Sequence, residues 1–413
     1  MTAPTEIRDL LAPELLADPY TGFARMREEA PVVKVSLMGA PPMLLVTRHD
    51  DVRAVLTDPR FVTDPELAGG PGMRQIMLEQ LGVPDDLVDY LLHNILTTDG
   101  ADHTRLRKLV SRAFTVKRVQ GLRPRVEEIT AGLLDDLADA GADGRPVDIV
   151  EKLGYPLPIT VICELVGVPE PDRPQWHEWG RVLTSMDPER IPAVLRAAVD
   201  HVHALIDARR AEPADDLITA LVQAQDEDGD RLSDREMVTM IFALVMAGHE
   251  TTAHLISNAT LALLTHPDQL ALLRAEPGRW PQAVGELMRL RGPVQFTQNR
   301  YPTTDVVIGG VDVPAGTPVI AGLLSANTDP RAYSGPDRLD VTREAGRGDG
   351  HLGFGQGVHY CLGAALARQE AEVTLRMLFD RFPRIELAVP PAEIVWDAKP
   401  GFSRIVELPV RVA

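Results

Sequence analysis

Cys361 lies in the run Gly353-Phe354-Gly355-Gln356-Gly357-Val358-His359-Tyr360-Cys361-Leu362-Gly363. From Leu362 to about Phe379 the residues read as a helix. Cys361 therefore falls where unpaired N–H groups and the positive end of the helix dipole converge. Those features favour a thiolate and can hydrogen-bond its sulfur. The glycines tolerate positive φ and let backbone come close to something flat and bulky. An isolated cysteine is more often a small buried hydrophobe; the spacing of its neighbours overturns that default here. A second group of reactive types is Gly248-His249-Glu250-Thr251-Thr252. The residues before it, Met240 to Ala247, are apolar all round, which predicts a buried helix. A glutamate and two threonines in the heart of such a helix are costly unless satisfied or used.

Phe354, Gly357, Cys361 and Gly363 resemble the heme-ligand signature of the cytochrome P-450 family, F-x-x-G-x-x-x-C-x-G. His359 and Leu366-Ala367-Arg368 are similar to its soluble bacterial branch, and the resemblance covers nearly the whole chain. It implies heme b as cofactor, with Cys361 as axial thiolate to iron. Phe354, Gly355, Gly363 and, on the long helix, Ala247 are implied to line that cofactor. Asp102-His103-Thr104-Arg105-Leu106-Arg107 resembles the segment that salt-bridges a heme propionate, which implies His103 and Arg107. These two are spaced i, i+4 and share one side of a helix. Arg300 and His359 match further propionate-binding positions. Ala247 to Thr252 is similar to the family's oxygen-activation segment. Its acid and alcohol imply a catalytic pair, with Glu250 relaying protons and Thr251 holding a hydrogen bond at the oxygen being activated. Glu286 and Arg289 resemble the family's E-x-x-R, and Pro336-Asp337-Arg338 the segment that supplies a second arginine. Those three are expected to support the fold around the heme pocket.

Other motifs fail on spacing. His249, Glu250 and His254 suggest a zinc site, but i, i+5 sets the two imidazoles roughly 140° apart around a helix. Asp226-Glu227-Asp228-Gly229-Asp230 suggests a calcium loop, yet its glycine is misplaced and no terminal glutamate follows. It reads as a turn. Cys163, the second of two cysteines, lies in an apolar run and reads as core packing, and two cysteines make neither a disulfide framework nor a four-cysteine zinc site.

The elements that must hold these residues follow from pattern. Ser233-Asp234-Arg235-Glu236 is a capping box opening a helix of about 32 residues, roughly 48 Å, that stops at His266-Pro267. Strands are predicted at 31–37 and 43–47 around a turn at Gly39-Ala40-Pro41-Pro42, followed by a short helix capped by Asp50. A hairpin turns at Gly309-Gly310. Further strands are predicted at 317–320, 385–387 and 404–408. Glycine-broken sequence between Phe61 and Thr98 reads as a loop, by composition either a pocket cover or a mobile surface segment; the resemblance implies that it lies over the substrate. The resemblance implies a single domain over 1–413, mainly α with a smaller β-rich part (about 31–49, 295–322 and 385–410). In that fold a long central helix lies over a buried heme.

The chain has 413 residues and a net charge of −18, so nucleic acid and anionic membrane are poor partners for its surface. No apolar run reaches the length of a membrane span and no signal pattern opens the chain, which predicts a cytoplasmic protein. Eight basic residues, Arg105, Arg107, Lys108, Arg112, Lys117, Arg118, Arg123 and Arg125, fall in a stretch without acids from His103 to Val126. With Arg368 they suggest a docking face for an acidic partner. By resemblance that partner is an iron-sulfur ferredoxin served by an NAD(P)H-dependent ferredoxin reductase. Pocket walls are expected from Met77 to Leu96, Ala243, Ala247, Pro293 to Phe296 and the turn at Phe402, so the substrate is a small, hydrophobic or weakly polar molecule. The reaction implied is oxygen insertion by hydroxylation or epoxidation. A peroxide-driven peroxygenase, a heme-based gas sensor and a heme-thiolate isomerase or dehydratase are the rivals.

Overall fold

The computed structural model describes residues 6–37, 41–70, 74, 75, 78, 83–185, 189–225, 229–344, 348–397 and 401–412. The turn expected at Gly39-Ala40, most of 71–82 and the acidic turn at Asp226 to Asp228 lie outside the described residues.

The central helix spans Asp234–Thr265. Ser233 Oγ accepts from Glu236 N at 3.3 Å, and the Glu236 carboxylate accepts from Ser233 N at 2.8 Å, which satisfies two otherwise orphaned donors. Pro267 follows His266 and cannot extend the helix, because it lacks the N–H. Around this rod pack the helices Pro156–Val166, Ala364–Arg381 and Trp280–Arg291. Cys163 is buried in that core, as expected. The approach of Pro156–Val166 is close: a Cβ on Gly248 would lie 3.3 Å from the Ile162 side chain.

Burial of the helix is not all-round. Met240, Ile241, Phe242 and Val245 are buried, but Ala247 is exposed and Ala243 and Thr251 only half-buried. These three recur at i, i+4 and share one face that the neighbouring elements leave partly uncovered, with Leu244, Met246 and Gly248 half-buried beside it. Apolar composition shows that a helix is interior, not which face its neighbours leave open.

The larger sheet has the order Ile7–Asp9, Val32–Ser36, Met43–Val46, Val319–Ala321. Its central pair is antiparallel, with Val32 opposite Val46 and Val35 opposite Met43. Gly309 and Gly310, at φ +55° and +82°, turn the hairpin Val306–Ile308 and Val311–Val313, a two-residue turn that needs positive φ at both positions. Two local expectations change. The helix after the first hairpin runs His49–Thr57, and Asp50 does not cap it. Instead His49 N donates to Asp329 Oδ2 at 2.9 Å, from a distant segment. The last strand is Pro409–Arg411, not 404–408. Ser403, Arg404 and Ile405 are buried in succession, and that breaks the alternation a strand requires. Among the described residues no helix is long and apolar enough to cross a membrane.

Candidate active site

The cysteine loop is folded by its own backbone. Cys361 N donates to Phe354 O at 3.0 Å, and Gly355 N to Leu352 O at 2.9 Å. Gly357 sits at φ +78°, where a Cβ would lie 2.3 Å from Leu56 O, so only glycine fits. The helix Ala364–Arg381 starts just beyond Cys361, with Gly363 at its N-cap. Burial pushes the Cys361 thiol up; the N–H of Gly363, the charges of Arg107 and Arg368 and the N–H of Ala364 pull it down. A sulfur ringed by donors and arginines suits a thiolate bound to a cation. Phe354 is buried under the Arg368 guanidinium, 4.5 Å from its ring centroid. Arg368 also meets Asp349 at 2.5 Å and Tyr360 Oη at 3.1 Å, so it braces the loop and is not an unengaged docking charge.

A cluster of cations surrounds the loop. Arg107, on the helix Gly100–Ala113, donates to Tyr360 O at 2.8 Å. His103, one turn earlier, is buried with its ring centroid 4.4 Å from that of His359. His359 Nδ1 is 3.1 Å from Ile95 O, and its Nε2 is 3.5 Å from Asp99 Oδ1. Arg300 is fixed by two backbone bonds to Val319, at 2.7 and 2.8 Å. Burial, then the charges of His359 and Arg107, lowers His103 to about 4. Burial lowers Arg107 and Arg300 as well, and only Asp99 opposes it for Arg300. His103 Nε2, His359 Nε2 and Arg300 Nε have no hydrogen-bond partner. Buried donors in excess of acceptors are costly alone and are resolved by anionic oxygens, so the cluster fits the propionates of heme.

Asp99 is the residue that sequence reasoning missed. It accepts from Thr63 N and Oγ1, both at 2.7 Å, and from Asp64 N at 3.0 Å. Burial works to raise this carboxyl, but the facing His359 ring and the bonds from Thr63 and Asp64 outweigh it and hold it at about 2. It stands directly before the helix Gly100–Ala113, a position where an aspartate ordinarily caps, yet it makes no side-chain cap bond.

On the central helix, Thr251 Oγ1 donates to Ala247 O at 2.8 Å, back-bonding one turn. Glu250 is buried, and Arg404 Nη1 donates to its Oε1. His254 follows one turn later, with Nε2 3.8 Å from the same oxygen. His249 points elsewhere: its Nδ1 is 2.9 Å from Val245 O, and a Cβ on Gly180 would lie 2.8 Å from its Nε2. The two imidazoles diverge as i, i+5 requires, and among the described residues no His, Cys, Asp and Glu group could hold a metal ion.

Two expectations are corrected. Glu286 pairs with Arg289 through bonds of 2.7 and 2.8 Å, but the second arginine is Arg343, 3.0 Å from Glu286, and not Arg338. Arg338 is largely exposed and pairs with Asp340, while its carbonyl accepts from Arg289. The basic stretch is also largely neutralised within the chain. Arg105 pairs with Asp230 and Glu236, Arg118 with Asp215, Arg123 with Glu372, and Arg125 with Glu164 and Glu128. Apart from Glu128, three residues beyond Arg125, these acids come from remote segments, so a sequence window could not show them. Of the expected pocket walls, Gln295, Phe296 and Phe402 line a cavity of about 180 Å³ with Tyr20, Phe23 and Arg404.

The family model described as Cytochrome P450 matches residues 182–279 and 280–404. The chain is 43% identical over 411 residues to the 6-deoxyerythronolide B hydroxylase of Saccharopolyspora erythraea, covering 99% of each. It is 42% identical over 413 residues to the cytochrome P450 monooxygenase PikC of Streptomyces venezuelae, covering 99% of this chain and 95% of that one. The solved structure of the Bacillus subtilis bacillaene polyketide synthase cytochrome P450 PksS superposes with a TM-score of 0.88 at 35% identity. That match covers 98% of this chain and 99% of the other. With its cysteine loop, long central helix and near full-length kinship to these enzymes, the chain belongs to the cytochrome P450 family and is a heme-thiolate monooxygenase.

Proposed function

We propose that this monooxygenase works in the cytoplasm and hydroxylates or epoxidises an apolar or weakly polar natural product, of the polyketide type that the name of the PksS relative indicates. What supports this reading is the partly uncovered face of Ala243, Ala247 and Thr251, an apolar wall that ends in an alcohol. Heme b is the proposed cofactor. Cys361 would supply its thiolate, and His103, Arg107, Arg300 and His359 would take its propionates. Phe354, Gly355, Gly363 and Ala247 would pack against its faces. Bound there, heme supplies activation of dioxygen, so that one oxygen atom enters the substrate and the other leaves as water.

This chain's own residues manage protons. Thr251 Oγ1 keeps its hydrogen on the Ala247 carbonyl at rest, and its lone pairs remain free to accept. Glu250, adjacent and buried, moves protons inward from solvent at its carboxylate oxygens. Electrons come from an iron-sulfur ferredoxin and an NAD(P)H-dependent reductase. Support for that is narrower than the sequence suggested and rests on the exposed positions Lys108, Arg112 and Lys117.

Thr251→Ala tests the assignment. The variant is expected to keep consuming NAD(P)H while product per NAD(P)H falls about tenfold or more and hydrogen peroxide rises to match. Unchanged product per NAD(P)H would remove Thr251 from the mechanism.

A further inference from the structure

Two guanidinium groups act on the Cys361 sulfur, and both are tied to the residue beside it, Tyr360. Arg107 donates to the Tyr360 carbonyl at 2.8 Å, and Arg368 Nη2 donates to the Tyr360 hydroxyl at 3.1 Å. Their electrostatic surroundings differ. Burial works against the Arg107 cation, and only the charge of Cys361 favours it. Arg368 instead has a carboxylate of its own. Asp349 Oδ1 meets Arg368 Nη2 at 2.5 Å, and Asp349 Oδ2 accepts from Tyr360 Oη at 2.6 Å. Asp349, Tyr360 and Arg368 thus close a triangle in which each side chain touches the other two.

The triangle is packed on the cysteine loop. Arg368 lies over the Phe354 ring, and the Tyr360 ring meets that same ring edge-on, with centroids 6.5 Å apart. His351 is the other titratable group here, tilted against Phe354 at 5.6 Å. Burial lowers it to about 4, so it is uncharged at neutral pH. The charges on this side of the loop are therefore those of Arg368 and Asp349. Both side chains are only partly exposed, 31% and 24%, so solvent does not fully screen them. A cation beside a metal-bound sulfur draws electron density from it and favours the reduced metal. A carboxylate that neutralises the cation does the reverse. Asp349 can act in this way without touching the sulfur.

We propose that Asp349 is a positioning residue for the heme-thiolate centre. It fixes the Arg368 guanidinium against Tyr360 and Phe354 and offsets its charge, which holds the reduction potential of the iron down. This rests on the reading of Cys361 as the thiolate ligand. With Asp349 in place the sulfur keeps more of its electron density, and the first electron enters against a lower potential.

Spectroelectrochemical titration of the heme-loaded protein reads this without turnover. Asp349→Asn is expected to shift the one-electron equilibrium about threefold to tenfold toward the ferrous form, a rise of up to about 59 mV. Asp349→Glu keeps the charge and is expected to stay close to the wild type. Arg368→Gln removes the cation and leaves Asp349 unbalanced, so its midpoint should move downward. The double variant Asp349→Asn with Arg368→Gln removes both charges and should return toward the wild-type value. A merely mechanical brace predicts a different pattern, because either single variant would loosen the loop and shift the midpoint in one direction. Same-direction shifts, or an unmoved midpoint in Asp349→Asn, would overturn the proposal. Should Arg368→Gln fail to take up heme, the contrast between Asp349→Asn and Asp349→Glu decides alone. The reduced, carbon monoxide-treated band of each protein reports the ligand separately. A nitrogen-type band in the wild type would overturn the reading of Cys361, and the proposal with it.

Discussion

Two buried charge clusters in this molecule look alike in sequence and differ in their accounts. In the first, Glu286 takes two bonds from Arg289, one from Arg343 and one from Asp340 N, and Arg289 also donates to Asn327 O and Pro336 O, each at 2.7 Å. Charge and donors are matched inside the protein. In the second, His103, Arg107, Arg300 and His359 converge around a single carboxylate, Asp99, and three of their nitrogens lack partners. Such an excess is tolerated only if something anionic completes it. A matched cluster holds the fold together; an unmatched one marks where a ligand belongs.

That difference can be broken experimentally. Glu286→Gln leaves the buried Arg289 and the half-buried Arg343 uncompensated and is expected to destabilise the chain by about 3–5 kcal/mol, measured by urea unfolding, with heme-loaded and heme-free protein affected alike. Arg300→Gln is expected to act in the opposite way. Heme retention should weaken about tenfold to a hundredfold, read by transfer to a competing heme acceptor, while the heme-free chain loses no stability. If Arg300→Gln unfolded the heme-free chain as Glu286→Gln does, the two clusters would not differ in kind. A smaller effect concerns the one acid of the second cluster. Because the folded state holds Asp99 at about 2, below its ordinary value of 3.8, its contribution is fully present above about pH 4 and is lost as pH falls toward 2. Asp99→Asn should therefore cost about 1–2 kcal/mol at pH 7 and almost nothing near pH 2, by thermal unfolding at the two pH values.

Much of the site was legible from the chain because its parts are local. The capping box, the Gly309-Gly310 turn and the glycine loop before Cys361 each act within a few residues, and each appears as expected. What was not legible depends on segments that meet only in the fold. Arg343, rather than Arg338, reaches Glu286, a choice set by how the loop after Asp340 bends back. The arginines of the basic stretch meet acids as remote as Glu372, so the expected docking face is smaller than composition implied. Asp99 and Arg404 carry no motif at all; their importance lies in which charged side chain each one faces.

The account turns on sulfur binding iron at Cys361. The reduced, carbon monoxide-treated spectrum of the purified heme-loaded protein tests it most directly. The account predicts a thiolate-type band that is replaced by a nitrogen-ligated one in Cys361→His. A wild-type spectrum already of the nitrogen-ligated kind, or protein that stays colourless when expressed with ample heme precursor, would contradict it.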